Sequence, residues 1–386
     1  MYVKNLKIIN FRKIENIDIE LNKNINVFIG NNAQGKTSIL NAIYMLALTK
    51  FDKNVTEEEI IKKGFLFGKV RGTVKVGKIS KKLEVILEKN TKILRIDGNI
   101  CNRVTDYLSN LNVIMFSPDD LDIVKKSPSV RRNLMNVELC QLYPSYVKIL
   151  NEFNKILKIR NEYIRKNFNN INVDYFDVIT NNLIDRAIVI MNYRKIFISK
   201  LNENISSVYY KIMKQEGLKI NYLCNLPCCN KDELINFYKE NFVNEISQKI
   251  TLFGPHRDDF DFYLNDENLK LYGSQGQQRV AILSLKLSEI DIFKEIKDYY
   301  PIVLLDDIFS ELDIEKRSNL LKFIKSNIQF IITTTDVKNI SSKILDKASI
   351  FNLKDGKIVK RKWNYGWKSK KIWFFCYSSS WRFRSS

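Results

Sequence analysis

The sequence contains little histidine, tryptophan, glycine or proline, and it has no long apolar run. His256 is the only histidine, and all four tryptophans fall between Trp363 and Trp381. No segment approaches the ~18 uninterrupted apolar residues that a membrane-spanning helix requires. The amino terminus enters an alternating strand pattern at once and lacks the charged, apolar and small-residue regions of a secretory leader. We therefore expect a cytoplasmic protein that has no membrane partner.

Cysteine is also scarce, and it is unevenly placed. The chain has six cysteines, of which Cys224, Cys228 and Cys229 cluster in the segment CNLPCCN. A zinc site would have to borrow carboxylates or another chain, because no second cysteine cluster follows and only one histidine is present. We expect reduced, structural thiols in a reducing compartment.

The charge of the chain is strongly positive. Lysine and arginine number 63 against 43 aspartates and glutamates, which gives a formal net charge of +20. Such an excess favours polyanionic partners such as nucleic acid or an anionic membrane. The chain is also rich in Lys, Asn and Ile, a bias that AT-rich codons produce across a whole genome. Charge alone therefore leaves two interpretations open, a functional basic surface and a diffuse, solvated one.

Both ends of the chain have α/β patterns. Alternating apolar and polar residues predict strands over Tyr2–Phe11 and Ile25–Ile29. Short β-branched runs between residues 68 and 100 predict an antiparallel meander. Strand texture returns at Asp259–Leu264, and a helical pattern starts at Ser274. The interval between these regions has helical apolar spacing and few glycines.

These strand and helix patterns predict a two-lobed α/β protein. One lobe combines residues 1–125 and 255–362, and a mainly helical lobe is inserted at residues 126–254. With 45% apolar residues, a chain of this length can bury the core that two lobes need. The aromatic and basic tail at 363–386 differs abruptly from the rest of the chain. We interpret it as non-native or dispensable, because the sheet pattern already finishes near Lys360.

A phosphate-binding loop is indicated early in the chain. Eight residues fit the pattern GxxxxGK[ST]: Gly30, Asn31, Asn32, Ala33, Gln34, Gly35, Lys36 and Thr37. Glycines let the backbone wrap a phosphate chain, amides at a helix start donate to it, lysine reaches the β/γ oxygens and the hydroxyl holds Mg²⁺. A chance glycine turn is the alternative. The apolar strand before the loop and the helical pattern after it favour the phosphate loop.

A pair of acids follows a very apolar segment near the other end. Residues 302–305 read IVLL, and Asp306 and Asp307 come next. A buried strand that delivers a carboxylate at its carboxyl end is how P-loop ATPases hold Mg²⁺, and the next acid can polarise the attacking water. A turn or a helix cap is the alternative. The presence of a phosphate loop favours the catalytic interpretation.

A third motif opens the helix that precedes this strand. The segment GSQGQQR at 273–279 resembles the ABC-ATPase signature LSGGQ, because Ser274, Gly276 and Gln277 match while Gln275 replaces a glycine. A glycine turn with Ser274 as helix cap explains the same residues. The order and spacing relative to the acid pair favour the signature.

Four blocks in the same order resemble the RecF family of bacterial recombination mediators. They are PDDLDIVKKSPSVRRNLMN at 118–136, GPHRDD at 254–259, YGSQGQQR at 272–279 and LLDDIFSELDIEKRSNL at 304–320. The resemblance spans about residues 1–360 and includes the opening segment with its phosphate loop. Ala33 departs from it, since glycine is common at that position.

The resemblance implies an ABC-type ATPase head and a role for each motif. Lys36 and Thr37 would bind phosphate and Mg²⁺, and Asp306 would hold Mg²⁺ through water. Asp307 would replace the catalytic glutamate of related ATPases, which fits a slow, switch-like enzyme. The signature of one protomer would cap the γ-phosphate held by another. The resemblance also implies a D-loop at 310–313, and Thr334 and Thr335 in place of a switch histidine. For Arg12 two interpretations stay open, a contact with the nucleotide and a surface salt bridge.

It also implies a function. The family binds ATP and DNA, dimerises with ATP on gapped duplex/single-strand junctions and assists recombinase loading in DNA repair and replication, with RecR and RecO as partners. Weak, DNA-stimulated ATP hydrolysis would reset this DNA-bound dimer, which acts as a clamp. The alternatives are an SMC-like or transporter-type ATPase and a DNA scaffold with negligible turnover. Possible phosphate contacts, which a solvated helix face explains as well, are Lys125, Lys126, Arg131, Arg132, Lys155, Lys158, Arg160 and Arg165.

Overall fold

A computed structural model describes residues 1–50, 56–89, 91–310, 312–324, 327–336, 338 and 340–363. The tail predicted for 363–386 lies, beyond Trp363, outside the described residues. The described strands are β1 (Tyr2–Phe11), β2 (Ile14–Glu20), β3 (Ile25–Ile29), β4 (Phe67–Val76), β5 (Ile79–Glu88), β6 (Thr91–Ile96), β7 (Asn99–Ile100), β8 (Val113–Phe116), β9 (Leu218–Leu223), β10 (Asp259–Leu264), β11 (Glu267–Asn268), β12 (Ile302–Asp306), β13 (Phe330–Thr334), β14 (Ala348–Lys354) and β15 (Lys357–Trp363).

The helices alternate with these strands and fill the middle of the chain. They are α1 (Lys36–Leu48), α2 (Glu57–Ile60), α3 (Val104–Tyr107), α4 (Asp122–Lys125), α5 (Pro128–Leu142), α6 (Pro144–Asn167), α7 (Val173–Met213), α8 (Lys231–Glu240), α9 (Phe242–Gln248), α10 (Leu269–Tyr272), α11 (Gln275–Lys297), α12 (Ile314–Leu321) and α13 (Ser342–Leu345). In the part of the chain that the structure describes, none of them is both long and apolar enough to cross a bilayer.

The strands form three sheets. The central sheet has the order β15-β14-β3-β13-β12-β8, and all its pairs except β14–β15 are parallel. The meander sheet, β2-β1-β4-β5-β6-β7, is antiparallel and confirms the meander predicted between residues 68 and 100. A small third sheet joins β9, β10 and β11. The pattern did not predict β9, which lies inside the region interpreted as helical.

The central sheet is covered on both faces, which explains its continuous apolar strands. Ile302 and Leu304 of β12 belong to a core shared with α1 and the meander sheet. Val303 and Leu305, on the opposite face, belong to a second core built largely by α5, α7 and α11. The central sheet is therefore the middle layer of an α/β sandwich, as the fold class predicted from the sequence requires.

Two of the proposed phosphate contacts are wrong, because the structure buries them. The side chains of Arg160 and Glu245 have 0% exposure, and their Nη2–Oε2 distance is 2.5 Å. Arg160 also donates to Thr180 and Thr251. Arg131, likewise buried, donates Nε and Nη2 to the two carboxylate oxygens of Asp259. Removing one partner of such a buried pair typically costs about 3–5 kcal/mol, so these arginines stabilise the fold.

Glu138 of α5 and Glu289 of α11 form a buried pair of carboxyl groups. Burial raises the pKa of Glu138 to about 8 and raises that of Glu289 well above its usual value, with the proximity of Glu138 as a further cause for Glu289. Within the described part of the chain, neither carboxylate oxygen of Glu289 has a hydrogen-bond partner. The ammonium of Lys286, 2.7 Å from Asp120, partly compensates both acids. The folded chain therefore retains protons here that an unfolded chain releases.

We predict that Glu289→Gln flattens the pH dependence of stability. Because burial raises the pKa of Glu289, this group contributes stability that is fully present below its unfolded pKa and is lost as pH rises through its folded pKa. Each pKa unit corresponds to about 1.4 kcal/mol, so the glutamine variant should gain relative stability toward pH 8. Denaturant midpoints at pH 5 and pH 8.5 measure this. Glu295→Gln, on the exposed side of α11, is the control, and parallel pH curves for all three proteins would contradict the prediction.

Candidate nucleotide site

The predicted phosphate loop connects the carboxyl end of β3 to the start of α1. A Cβ on Gly30 would lie 2.7 Å from the carbonyl oxygen of Leu353, so that position has no room for a side chain. Gly35 has φ 100°, in the left-handed region that favours glycine. Ala33 also has a positive φ, 66°, although it carries a Cβ. The loop therefore has the sharp turn that amide donation to phosphate requires, with local strain at Ala33.

The Gln34 side chain anchors this loop to the β14–β15 turn. The side-chain Oε1 of Gln34 accepts a hydrogen bond from the backbone amide of Asp355, and the main-chain carbonyl of Gln34 accepts one from the Gly356 amide at 3.1 Å. A Cβ on Gly356 would lie 2.3 Å from the carbonyl oxygen of Lys13. Because Gly356 is packed closely against Lys13, the β14–β15 turn has no room to move. The turn therefore fixes the position of the phosphate loop through Gln34.

Lys36 lies inside the loop and is 6% exposed. Its Nζ donates to the carbonyl oxygens of Gly30 at 2.6 Å and Asn31 at 2.9 Å. Burial lowers the pKa of its ammonium, while the charges of Asp307 and Asp306 raise it. Phosphate oxygens are stronger acceptors for an ammonium than peptide carbonyls. The lysine is thus held where a polyphosphate in the loop would meet it.

The structure brings Asp306 and Thr37, the two residues expected to hold Mg²⁺, into contact. Thr37 Oγ1 donates to Asp306 Oδ1 at 3.1 Å, and Thr333 Oγ1 donates to the same oxygen at 2.6 Å. Burial raises the pKa of Asp306, and the two hydroxyl bonds oppose that shift. A hydroxyl and a carboxylate in contact are oxygen ligands of the kind that Mg²⁺ prefers, and a dication would offset the cost of burying the carboxylate. These residues fit a magnesium ion.

Asp307 follows at the end of β12 with φ 48°, an uncommon backbone conformation for aspartate. Its amide donates to the Thr333 hydroxyl at 3.1 Å. Its Oδ1 is buried and has no hydrogen-bond partner among the residues that the structure describes. Buried acceptors are nearly always paired, so this oxygen has an unused capacity to accept a proton from water or from a ligand.

Thr333 is a site residue that the sequence reasoning missed. It contacts both acids, whereas the switch position was assigned to Thr334 and Thr335. The Thr334 hydroxyl instead donates to the carbonyl of Asp336 at 3.0 Å. The available signal was the strand FIITT, in which three apolar residues lead to hydroxyls at the carboxyl end. That run gives no means of choosing among the hydroxyls, because the choice depends on the register with β12.

These residues open onto a cleft of about 920 Å³. The near wall contains the loop residues Asn32, Ala33, Gly35, Lys36 and Thr37. Arg12, Asp306 and Asp307 also line the cleft. The far wall, which the sequence reasoning missed, contributes Glu58, Glu59, Ile61, Lys62, Lys63, Gly64, Phe65, Leu66 and Lys89. It places acidic, basic and apolar groups opposite the phosphate loop.

The signature residues are not part of this cleft. Ser274 is the exposed N-cap of α11, and its Oγ accepts from the Gln277 amide at 3.2 Å while Gln277 Oε1 accepts from the Ser274 amide at 2.8 Å. Gly276 lies in the first turn, where an ideal Cβ would make ordinary van der Waals contact with Lys316 Nζ at 3.8 Å and Ser274 Oγ at 3.9 Å. None of the three lines the cleft of its own chain.

The D-loop lies between the acid pair and α12. Ser310 Oγ donates to the Asp307 carbonyl at 2.7 Å, and Asp313 caps α12 by accepting from the Lys316 amide at 2.9 Å. Glu311, which is part of the same loop, lies outside the described residues. The Ser310 hydroxyl therefore links this segment directly to the main chain of the second acid.

The fold and this cleft define the class of protein. Residues 2–358 match the family model for the RecF/RecN/SMC N-terminal domain. Structures of Smc heads have TM-scores of 0.53 and 0.51 at 15% and 14% identity, which shows a shared fold alone.

Closer relatives specify the family. The chain is 38% identical to the DNA replication and repair protein RecF of Halalkalibacterium halodurans, covering 94% of this chain and 100% of the relative. It is 36% identical to that of Clostridium perfringens, over 93% and 99%. A RecF–ATP structure matches with a TM-score of 0.86 and 28% identity, over 94% of this chain and 97% of that one. The chain belongs to the RecF family.

We predict that Thr333→Val weakens the site without removing any charged group. Valine has the same shape but cannot donate to Asp306 or accept from the Asp307 amide, and leaving buried polar groups unpaired costs about 1–3 kcal/mol. Magnesium-dependent nucleotide affinity and thermal stability should both fall. Thr333→Ser keeps the hydroxyl and is the control. If the valine and serine variants bind magnesium nucleotide equally well, the hydroxyl has no role in the site.

Proposed function

We propose that this protein is an ATP-dependent DNA-binding ATPase of recombinational repair and replication. The observation that carries the proposal is the meeting of Thr37 and Asp306 beside Lys36, at the edge of a cleft large enough for a nucleoside triphosphate. The names of its relatives support the DNA-repair role, and the matched RecF–ATP structure supports ATP as the ligand.

Each site residue has a distinct role in this proposal. The loop from Gly30 to Gly35 donates backbone amides to the phosphates, and Lys36 neutralises the β/γ oxygens. Thr37 would hold Mg²⁺ directly and Asp306 would hold it through water, and the ion would supply positive charge that offsets the charge developing on the phosphates. Asp307 orients the attacking water through its unpaired Oδ1. Aspartate is one methylene shorter than glutamate, so the carboxylate of Asp307 lies farther from the attacking water than a glutamate carboxylate would. This longer distance agrees with slow turnover.

The signature completes the pocket of a second copy. Ser274, Gly276 and Gln277 lie at the start of a 23-residue helix, whose free amides and dipole favour a phosphate. Because they lie outside their own cleft, they are available to a partner. Leu271, Tyr272 and Ile314 are large apolar residues that are exposed near the signature and the D-loop. Such residues suit a surface that is covered when ATP joins two protomers.

The clamp acts on DNA. We propose that the dimer forms on gapped duplex/single-strand junctions, helps to load recombinase and works with RecR and RecO. ATP hydrolysis, weak and stimulated by DNA, releases it. The test compares ATP-dependent binding to gapped and blunt duplex across a salt series. Equal binding to both, or binding that ignores ATP, would refute the junction-specific clamp.

We predict that Asp307→Asn separates binding from turnover. The amide keeps the shape of the side chain and leaves the phosphate contacts intact, but it cannot accept a proton from water. ATP binding should persist, hydrolysis should fall by at least about tenfold, and the dimer should live longer. Lys36→Ala, by contrast, should lose nucleotide binding. Single-turnover hydrolysis is the measurement. Parental turnover in Asp307→Asn would mean that another group positions the water.

We predict that Ser274→Arg binds ATP as a monomer but fails to dimerise, since a guanidinium replaces a hydroxyl at a packed phosphate interface. Mixing it with Lys36→Ala creates one pocket with an intact phosphate loop and an intact signature, and partial recovery of hydrolysis is expected. Sedimentation and ATPase rates give the readout. Loss of ATP binding by the monomeric Ser274→Arg variant would show that the signature acts within its own chain.

A further inference from the structure

The meander sheet has one apolar face and one cationic face. Leu83 and Val85 of β5 belong to the core. Because side chains alternate along a strand, Glu84 and its cross-strand neighbours lie on the opposite face. The cross-strand registers place six cations on that face, which we call the outer face: Lys7, Lys69, Arg71, Lys75, Lys82 and Arg95.

Glu84 holds three of these cations in place. Its side chain is only 10% exposed, and its carboxylate lies 2.8 Å from Lys69, 3.4 Å from Arg95 and 3.9 Å from Arg71. One carboxylate cannot neutralise three cations, so the cluster keeps a net charge of +2. Fixed cations lose less entropy on binding an anion than freely moving side chains. The outer face therefore has a preorganised positive centre.

The same charge continues along the β4–β5 hairpin. Arg71 pairs with Lys7 on one side and with Glu84 on the other, in strands about 4.8 Å apart. Along β4, Lys69, Arg71 and Lys75 share the outer face, and the exposed residue Lys78 extends the charge into the turn. From Phe67 to Glu88 the hairpin has six basic and two acidic residues. The positive surface thus extends over β1, β4, β5 and β6.

Other basic residues are weaker candidates for an anion-binding surface. Arg131 and Arg160 are buried in ion pairs, and Lys126 lies 2.7 Å from Asp122. Ile9, Ile86 and Ile93 lie in the centre of the outer face, and the aromatic residues Tyr2 and Phe67 pair with Lys75 and Glu88 at its edges. The cations are spread over β1, β4, β5 and β6, whereas the two rings lie at opposite ends of β4, so the face offers a phosphate backbone more contacts than it offers unpaired bases. This arrangement fits the backbone of a duplex better than a single strand.

We propose that the outer face binds the sugar-phosphate backbone of duplex DNA. This inference rests on the DNA-binding function proposed above and assigns it a surface. Lys69, Arg71 and Lys75 contact phosphates as point charges, and Glu84 positions Lys69, Arg71 and Arg95. Such contacts carry no base specificity, and their strength falls steeply with salt.

The test uses the full chain and a blunt duplex of about 30 base pairs. Arg71→Ala combined with Lys75→Ala removes two phosphate contacts, so the log–log salt slope should shrink by about 1.8, and affinity at low salt should fall about tenfold or more. Lys155→Ala combined with Lys158→Ala removes the same charge from the exposed side of α6 and should leave the slope unchanged. Arg71→Lys with Lys75→Arg should restore it. ATP binding by each variant checks the fold, since Arg71 and Lys75 do not line the cleft.

Each outcome has one meaning. A slope change in the α6 variant without one in the sheet variant would move the DNA site to the helices and overturn this proposal alone. A parental slope in the sheet variant would overturn it as well. If the parental protein binds no duplex in any nucleotide state, both this inference and the DNA-binding function fail.

Discussion

The parallel register of β3, β13 and β12 is the constraint on which the site depends. β13 lies between the strand that leads into the phosphate loop and the strand that delivers Asp306. All three end at the same edge, so Thr37, Thr333 and Asp306 converge without any long side chain having to reach. A shift of one residue in β13 would turn Thr333 to the other face and leave Asp306 with a single hydroxyl donor. The chemistry is therefore set by backbone pairing as much as by the motifs.

The motifs could be predicted because each one encodes a local geometry. Gly35 must adopt a positive φ, Lys36 must start a helix and Asp306 must end a buried strand, and all three requirements are visible in a short segment. The fold class followed from the alternation of strand and helix patterns. The division into lobes at residues 126–254 stays a prediction, although β9 pairs with β10 across that boundary.

Other features depend on contacts between distant segments, and no single segment reveals them. Thr333 contacts both acids because β13 pairs with β12. The far wall of the cleft is formed by residues 58–66, which are separate in the sequence from the phosphate loop. Arg160 resembles a surface cation in the sequence, since its helix is basic. Its role depends on Glu245, which is 85 residues away in the chain. The burial of a charged residue cannot be inferred without its partner.

The location of charge also differs from what the net charge suggests. Arg194 is buried and donates to the Asp258 carboxylate at 2.7 Å and to the Pro255 carbonyl at 2.6 Å. Like Arg131 and Arg160, it contributes to the formal charge of +20 while offering little to a partner. Geometry therefore distinguishes cations that stabilise the fold from those that face outward, and a total over the chain cannot.

The position of β3 has a consequence for how the chain is made. Its neighbours on both sides are β13 and β14, which lie about three hundred residues later. While the chain grows from its amino terminus, β3 has no strand to pair with, and the turn at Asp355 and Gly356 that holds Gln34 does not yet exist. The nucleotide pocket thus cannot form on the ribosome until nearly the whole head has emerged. Such long-range pairing folds slowly, and the apolar segment of β3 remains exposed to chaperones or to aggregation during that interval.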